Sequence, residues 1–276
     1  MYKKLTEIIE KSNLPLTKLD FIKAFKDLGI KNNSKIEVHA SVSSFGYIVN
    51  KEYDICDALL ETVTEGVIIM MAHTGEFTNP RTWNNPPVPP SWFSIIDSNR
   101  RVYDKDLFVP ERIGKVAQLF SRYKGVEKTN HPTMAMSIYN KTEDKTWHNH
   151  NLDERKEDNA LKKLAVEGGL ILLLGTDFKS CTSIHLTEHL SPYSKTQKFK
   201  YKRLNDLGEI EAVEEITKFI DDDDFDNFEE IKNEYIMKYE DTKFYKQTKL
   251  GLGVITLLSA EKLYEVSKEV HTNYRK

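Results

Sequence analysis

With 276 residues, 39% of them hydrophobic and 30% charged, the chain is long enough to bury a substantial core. A net charge of −3 excludes the strongly basic surface that nucleic-acid binding demands. The two cysteines, Cys56 and Cys181, are too few for a disulfide framework. No apolar run approaches the roughly 18 residues of a membrane span, and the first residues lack the apolar centre of a signal peptide. The expectation is a cytoplasmic protein with no membrane or nucleic-acid partner.

Leu5, Ile8 and Ile9 form the apolar stripe of a first helix. Thr17 caps a second helix that runs through Leu19, Phe21, Ile22 and Phe25 and closes at Gly29. Lys35 to His39 alternates with the period of a strand and enters a small polar loop, Ala40 to Gly46. Asp54 to Thr64 reads as a helix and Val67 to Met71 as a buried strand. From Ala72 to about Pro110 the chain is irregular. Pro86, Pro87, Pro89 and Pro90 bar a regular helix or central strand there. A loop of this length is usually functional or disordered, and Trp83 and Trp92 argue for an ordered, packed one.

Glu111 to Tyr123 reads as a helix, Met134 to Tyr139 as a strand, and Trp147 to Asn151 as a surface loop. Ala160 to Glu167 is a helix ended by Gly168 and Gly169, and Leu170 to Leu174 is a buried strand. Further on, Phe199 to Lys202 and Ile210 to Val213 read as antiparallel surface strands. An acidic helix spans Asp224 to Lys238, Thr248 to Leu258 is apolar with glycines, and Ala260 to Asn273 is a closing amphipathic helix. Residues 1–276 contain no repeat or linker and read as one domain.

The segment Leu174 to His189 is the most informative. A buried strand gives way to glycine, a polar loop and a helical-looking stretch. His185 and Glu188 stand at i and i+3, side by side on one helix face. That places an imidazole and a carboxylate at the carboxyl end of a core strand, where open α/β sheets bind ligands. A histidine steered by a carboxylate is a general-base arrangement. The same pair can also serve stability alone. His185-Leu186-Thr187-Glu188-His189 further matches His-x-x-Glu-His, a zinc-peptidase pattern, with Glu261 or Glu265 as a third ligand.

Several short motifs occur in order: Val38-His39-Ala40-Ser41-Val42-Ser43-Ser44-Phe45-Gly46, Met71-Ala72-His73-Thr74, Asn85 to Trp92, Asn130 to Ser137, Thr182 to Glu188, and Gly251-Leu252-Gly253-Val254. Through them the chain resembles the aminoglycoside 3-N-acetyltransferase family over nearly its whole length. Ala40, Ala72 and Cys181 depart from the family's serine, proline and asparagine.

The resemblance implies a layered α/β/α domain with a central mixed sheet, a long Pro-rich inserted loop and a C-terminal elaboration. It implies direct acetyl transfer from acetyl-CoA to an aminoglycoside amine, with no metal. A non-aminoglycoside amine is the alternative acceptor, and a homodimer is compatible with either. His185 is the implied base, Glu188 its orienting partner, and Thr182 a donor to the oxyanion or simply a helix cap. Cys181 reads as a passive substitute rather than a nucleophile.

The turn around Ser41, Ser43 and Ser44, with His39 before it and Lys35 at the strand's start, is implied to bind coenzyme A. His131 and Ser137 are implied near its pantetheine arm. His73, Thr74, Asp104 and the Trp83 to Trp92 loop would line the acceptor side. The run Asp221 to Asp226, Asp224 included, is either a solvated charge run or an acidic wall for a polycation.

Overall fold

The computed structural model describes residues 2–84, 86–111, 113–220 and 227–274. The strands are β1 (Lys35–Ala40), β2 (Val67–Met71), β3 (Val126–Lys128), β4 (Met136–Asn140), β5 (Leu170–Leu174), β6 (Ser194–Leu204), β7 (Ile210–Ile220), β8 (Tyr245–Leu250) and β9 (Gly253–Ser259). The helices are α1 (Tyr2–Lys11), α2 (Lys18–Leu28), α3 (Glu52–Thr62), α4 (Phe93–Asn99), α5 (Lys115–Phe120), α6 (Ala160–Val166), α7 (Phe228–Tyr239) and α8 (Ala260–Asn273).

A seven-stranded mixed sheet has the order β3-β4-β2-β1-β5-β9-β8, and β6 pairs with β7 in a separate hairpin. At its centre β1 lies parallel to both β2 and β5, while the outer pairings are antiparallel. Side chains alternate across the sheet, so each strand feeds two cores. Ile36, Val38, Ile68, Met70, Leu172 and Leu174 pack with Phe21, Phe25, Leu59 and Phe120 from α2, α3 and α5. Val67, Ile69, Met71, Ile171 and Leu173 pack with Leu161, Leu164, Tyr235, Leu263 and Val266 from α6, α7 and α8. This is the expected α/β/α layering. The parallel strands carry continuous apolar runs because both faces are covered.

Local signals set most boundaries. Thr17 and Asp20 form a capping box on α2, and Gly29 ends it in the left-handed region at φ 97. The helix expected over Glu111 to Tyr123 is the shorter α5; of the one expected from Asp224, residues 224–226 lie outside the described residues and α7 runs from Phe228. Trp147 is not on a surface loop. It is buried in the second core, with Lys35 and Lys163 over its ring.

The Pro-rich segment is ordered by contacts its prolines do not reveal. Tyr103 is fully buried, bonds Thr129 O through its hydroxyl, and pairs with the end of β6. Phe77 and Phe108 pack edge-on or tilted against it. Trp83 bonds Thr78, whereas Trp92 is largely exposed.

Candidate active site

The segment after β5 is a run of 3-10 helix, Thr182–Leu190, rather than an α-helix. Three residues per turn make positions i and i+3 eclipse. Thr182, His185 and Glu188 therefore form one stripe, and all three line a cavity of about 200 Å³. Ser183, Ile184, Leu186 and Thr187 are buried and hold the run down, with the Thr187 hydroxyl 2.7 Å from His271 Nδ1 on α8.

His185 Nδ1 lies 2.5 Å from Glu188 Oε1. With the proton on Nδ1, Nε2 is left as the basic nitrogen. The ring is 46% exposed, whereas Glu188 is only 13% exposed. Burial pulls the imidazole pKa down, but the bond and charge of Glu188 outweigh it and leave His185 above its ordinary value. Glu188 moves oppositely: burial raises it, and His185 carries it below the usual carboxylate value. His189 does not join this pair. One more residue turns it about 120° away on a 3-10 helix, toward Leu186 O and Glu157. His185 and His189 thus do not converge as zinc ligands.

On the other side of Thr182, a cavity of about 400 Å³ is lined by His39, Ala40, Ser41, His73, Thr176, Ser180 and Thr182. Thr182 belongs to both walls. His39 Nε2 lies 2.7 Å from Glu37 Oε1, and Ser183 Oγ donates to Glu37 Oε2 at 2.5 Å. Glu37 is 0% exposed and sits between Ile69 and Ile171 in the sheet. The strand alternation conceals this, because its polar face meets the site instead of water. Glu37, His39 and Cys181 also bring three donor atoms within 4.8 Å of one another, the one such group among the described residues. Burial, then the Glu37 charge, pushes the Cys181 thiol well up, so it is no ready nucleophile.

The remaining candidates divide. Ser41 lines the second cavity, and Ser44 ties the turn to Gly175 O at 2.6 Å while Ser43 lies 3.5 Å from Ser41. His73 lines this same cavity; burial, with His185 and His39 nearby, lowers its pKa. Lys35 stands apart. It is at the opposite end of β1, about 16 Å from Ala40 at about 3.3 Å per residue, and it pairs with Glu167.

His131 and Ser137 are fully buried, and the His131 ring packs tilted against His150 with centroids 4.2 Å apart. His150 in turn lines the His185 cavity. Thr74 is buried, with its backbone bonded to Thr133 O. Asp104 caps its own loop and lines a separate hollow with Glu76 and Arg101. Asp224 and the run around it lie outside the described residues.

Sequence reading missed Glu154 and Lys218, which reach the His185 cavity from distant segments. Lys218 Nζ donates to Leu186 O at 2.6 Å, and its backbone N–H donates to Glu154 at 2.7 Å. Burial lowers the Lys218 pKa. No local motif marks either residue: Lys218 comes from β7 and Glu154 from the 3-10 turn Glu154–Lys156, and the two meet through the Lys218 backbone.

Residues 38–272 match the family model for aminoglycoside 3-N-acetyltransferase. The chain belongs to the aminoglycoside 3-N-acetyltransferase family. Among relatives of this family, it is 34% identical over 194 residues to the SPbeta prophage-derived aminoglycoside N(3')-acetyltransferase-like protein YokD of Bacillus subtilis, covering 69% of this chain and 71% of that one. The YokD crystal structure superposes with a TM-score of 0.85 at 27% identity, covering 97% of each chain. The structure of AAC-IIIb, binary with CoASH, shares the fold at TM-score 0.77 and 20% identity, covering 95% of this chain and all 100% of the other. No described helix of this family member is long and apolar enough to cross a membrane.

Proposed function

We propose that this chain moves an acetyl group directly from acetyl-CoA to an amine of an aminoglycoside. The observation that carries the reading is the position of Thr182 on the wall between two cavities, one holding His185 and Glu188 and the other His39 and Ser41. The acceptor amine belongs in the first and the thioester arm in the second. The CoASH complex of a protein with this fold supports that choice of acyl donor.

An amine attacks only when neutral, so a base must take its proton. His185 Nε2 receives it, and Glu188 steadies the imidazolium that results. The Thr182 hydroxyl supplies a hydrogen bond to the oxygen that becomes negative. Low exposure around Glu188 keeps water from competing for its lone pairs.

The acceptor class has a second reading. Lys218 brings a cation to a cavity that Glu154 and Glu188 also line, and an amine that carries fewer ammonium groups than an aminoglycoside is the alternative acceptor.

The test is a thiol-release assay with purified protein, acetyl-CoA and a panel of aminoglycosides. Release should require a specific acceptor and fall by about 10²–10⁴-fold in His185→Ala. Undiminished turnover in that variant would remove His185 from the reaction. Acetyl-CoA binding without release for any drug would redirect the search to other amines.

A further inference from the structure

Acetyl transfer has two proton problems, and His185 answers one of them. The second arises when the C–S bond breaks. An alkanethiolate is basic, with a conjugate acid near pKa 8.5 in cysteine. A proton donor on the leaving-group side would ease its departure.

The second cavity contains an imidazole held for that role. His39 lines it and is 10% exposed, so one edge of the ring reaches the cavity. Its Nε2 is fixed on Glu37 at 2.7 Å. Thr182 N–H also points at Nε2, but at 3.4 Å, too long to displace the Glu37 contact. No hydrogen bond among the described residues uses Nδ1. Glu37 is buried between two isoleucines, and its second oxygen already accepts from Ser183. A carboxylate in such a place fixes the orientation of the imidazole beside it. Cys181 and His73 are the other titratable groups close by. Thr182 therefore stands between two carboxylate–imidazole pairs, one in each cavity.

We propose that His39 is the general acid of the transfer, resting on the reading above. The amine nitrogen bonds to the acetyl carbon and the C–S bond breaks. The amine proton goes to His185, and the sulfur takes a proton from His39 Nδ1. His39 is left neutral, with Nε2–H still on Glu37, and is recharged from solvent after the thiol departs. Glu37 is a positioning residue that keeps His39 aimed.

The test separates proton donation from simple coenzyme binding. His39→Gln is compared with wild type using acetyl-CoA and using phenyl thioacetate, whose thiophenolate leaves without needing a proton. The expected result is a kcat loss of about 10²-fold or more with acetyl-CoA and less than about 10-fold with phenyl thioacetate. Glu37→Gln should show the same donor selectivity with a smaller loss. Equal losses with both donors, or a change confined to KM, would overturn the proposal.

If wild type does not use phenyl thioacetate, the pH profile with acetyl-CoA decides. Loss of the alkaline limb in His39→Gln supports the role, and a retained limb overturns it. If the variants do not fold, the dependence of wild-type turnover on leaving-group basicity is measured, and a steep dependence overturns it. A transition metal retained by wild type and lost in His39→Gln would reassign Glu37, His39 and Cys181 to metal binding. Wild-type protein that acetylates no amine would sink the underlying reading too, whereas transfer with unselective His39 variants sinks only this one.

Discussion

Replacing Glu188 with Gln tests the core of the site. The side chain keeps its shape and a hydrogen-bond acceptor, but the charge that faces His185 Nδ1 at 2.5 Å disappears. A hydrogen bond to a charged group contributes about 1.5–3 kcal/mol. His185 is 46% exposed, so solvent screening favours the low end of that range. At about 1.4 kcal/mol per tenfold, the expected loss in kcat/KM is about 10-fold to 30-fold, well short of the loss for His185→Ala.

The pH profile should move with it. Glu188 holds the His185 pKa above its ordinary value against the pull of burial. Without that charge the imidazole loses its proton at lower pH, so the acid limb of kcat/KM shifts to lower pH. The assay is thiol release across pH 5 to 9, alongside urea unfolding to confirm a sound fold. An unmoved acid limb with full stability would refute the claim that this pair tunes the base.

Lys218→Met should shift the same limb the other way, because the lysine charge depresses His185 and its removal lets the imidazole hold its proton to higher pH; the same profile checks it. Burial, only partly offset by bonds from Thr133, pushes the Glu215 carboxyl from its ordinary 4.5 up to about 8. Between those values the folded chain holds a proton that the unfolded chain lacks. The stabilisation is complete below pH 4.5 and fades as pH rises through about 8. Urea unfolding at pH 5.5 and 7.5 should show wild type losing up to about 1.4 kcal/mol per pH unit more than Glu215→Gln. In Gly175→Ala, the φ of 63 and a Cβ placed 2.6 Å from Ser44 Cβ should cost about 1–3 kcal/mol of stability, and a wild-type melting temperature would contradict this.

Much of the frame is written locally. Val67 to Met71 and Leu170 to Leu174 are apolar without a break because parallel strands are covered on both faces. Thr17, Asp20 and Gly29 delimit α2 through their own backbone chemistry. The His185 and Glu188 pair was legible because three residues is a helical repeat, and the ordered motifs carried the family.

Other features depended on neighbours far along the chain. Whether Thr182 to Leu190 winds as a 3-10 run, with Thr182, His185 and Glu188 in one stripe, follows from packing against α8. Glu37 reads as the polar half of an alternating strand, yet it is fully buried beside Ile69 and Ile171, and its carboxylate is satisfied by His39 and Ser183. Lys35 belongs to the same strand but lies at the end of the sheet away from Ala40, paired with Glu167, a distance that a motif does not record. Lys218 arrives on β7 and Glu154 on the turn that β7 packs against, and Trp147 is drawn inward by the core beside α6. Sequence determines periodicity, caps and turns because these act over a few residues. Burial, charge pairing and the meeting of side chains depend on which distant surfaces exclude water together, and only the tertiary structure decides that.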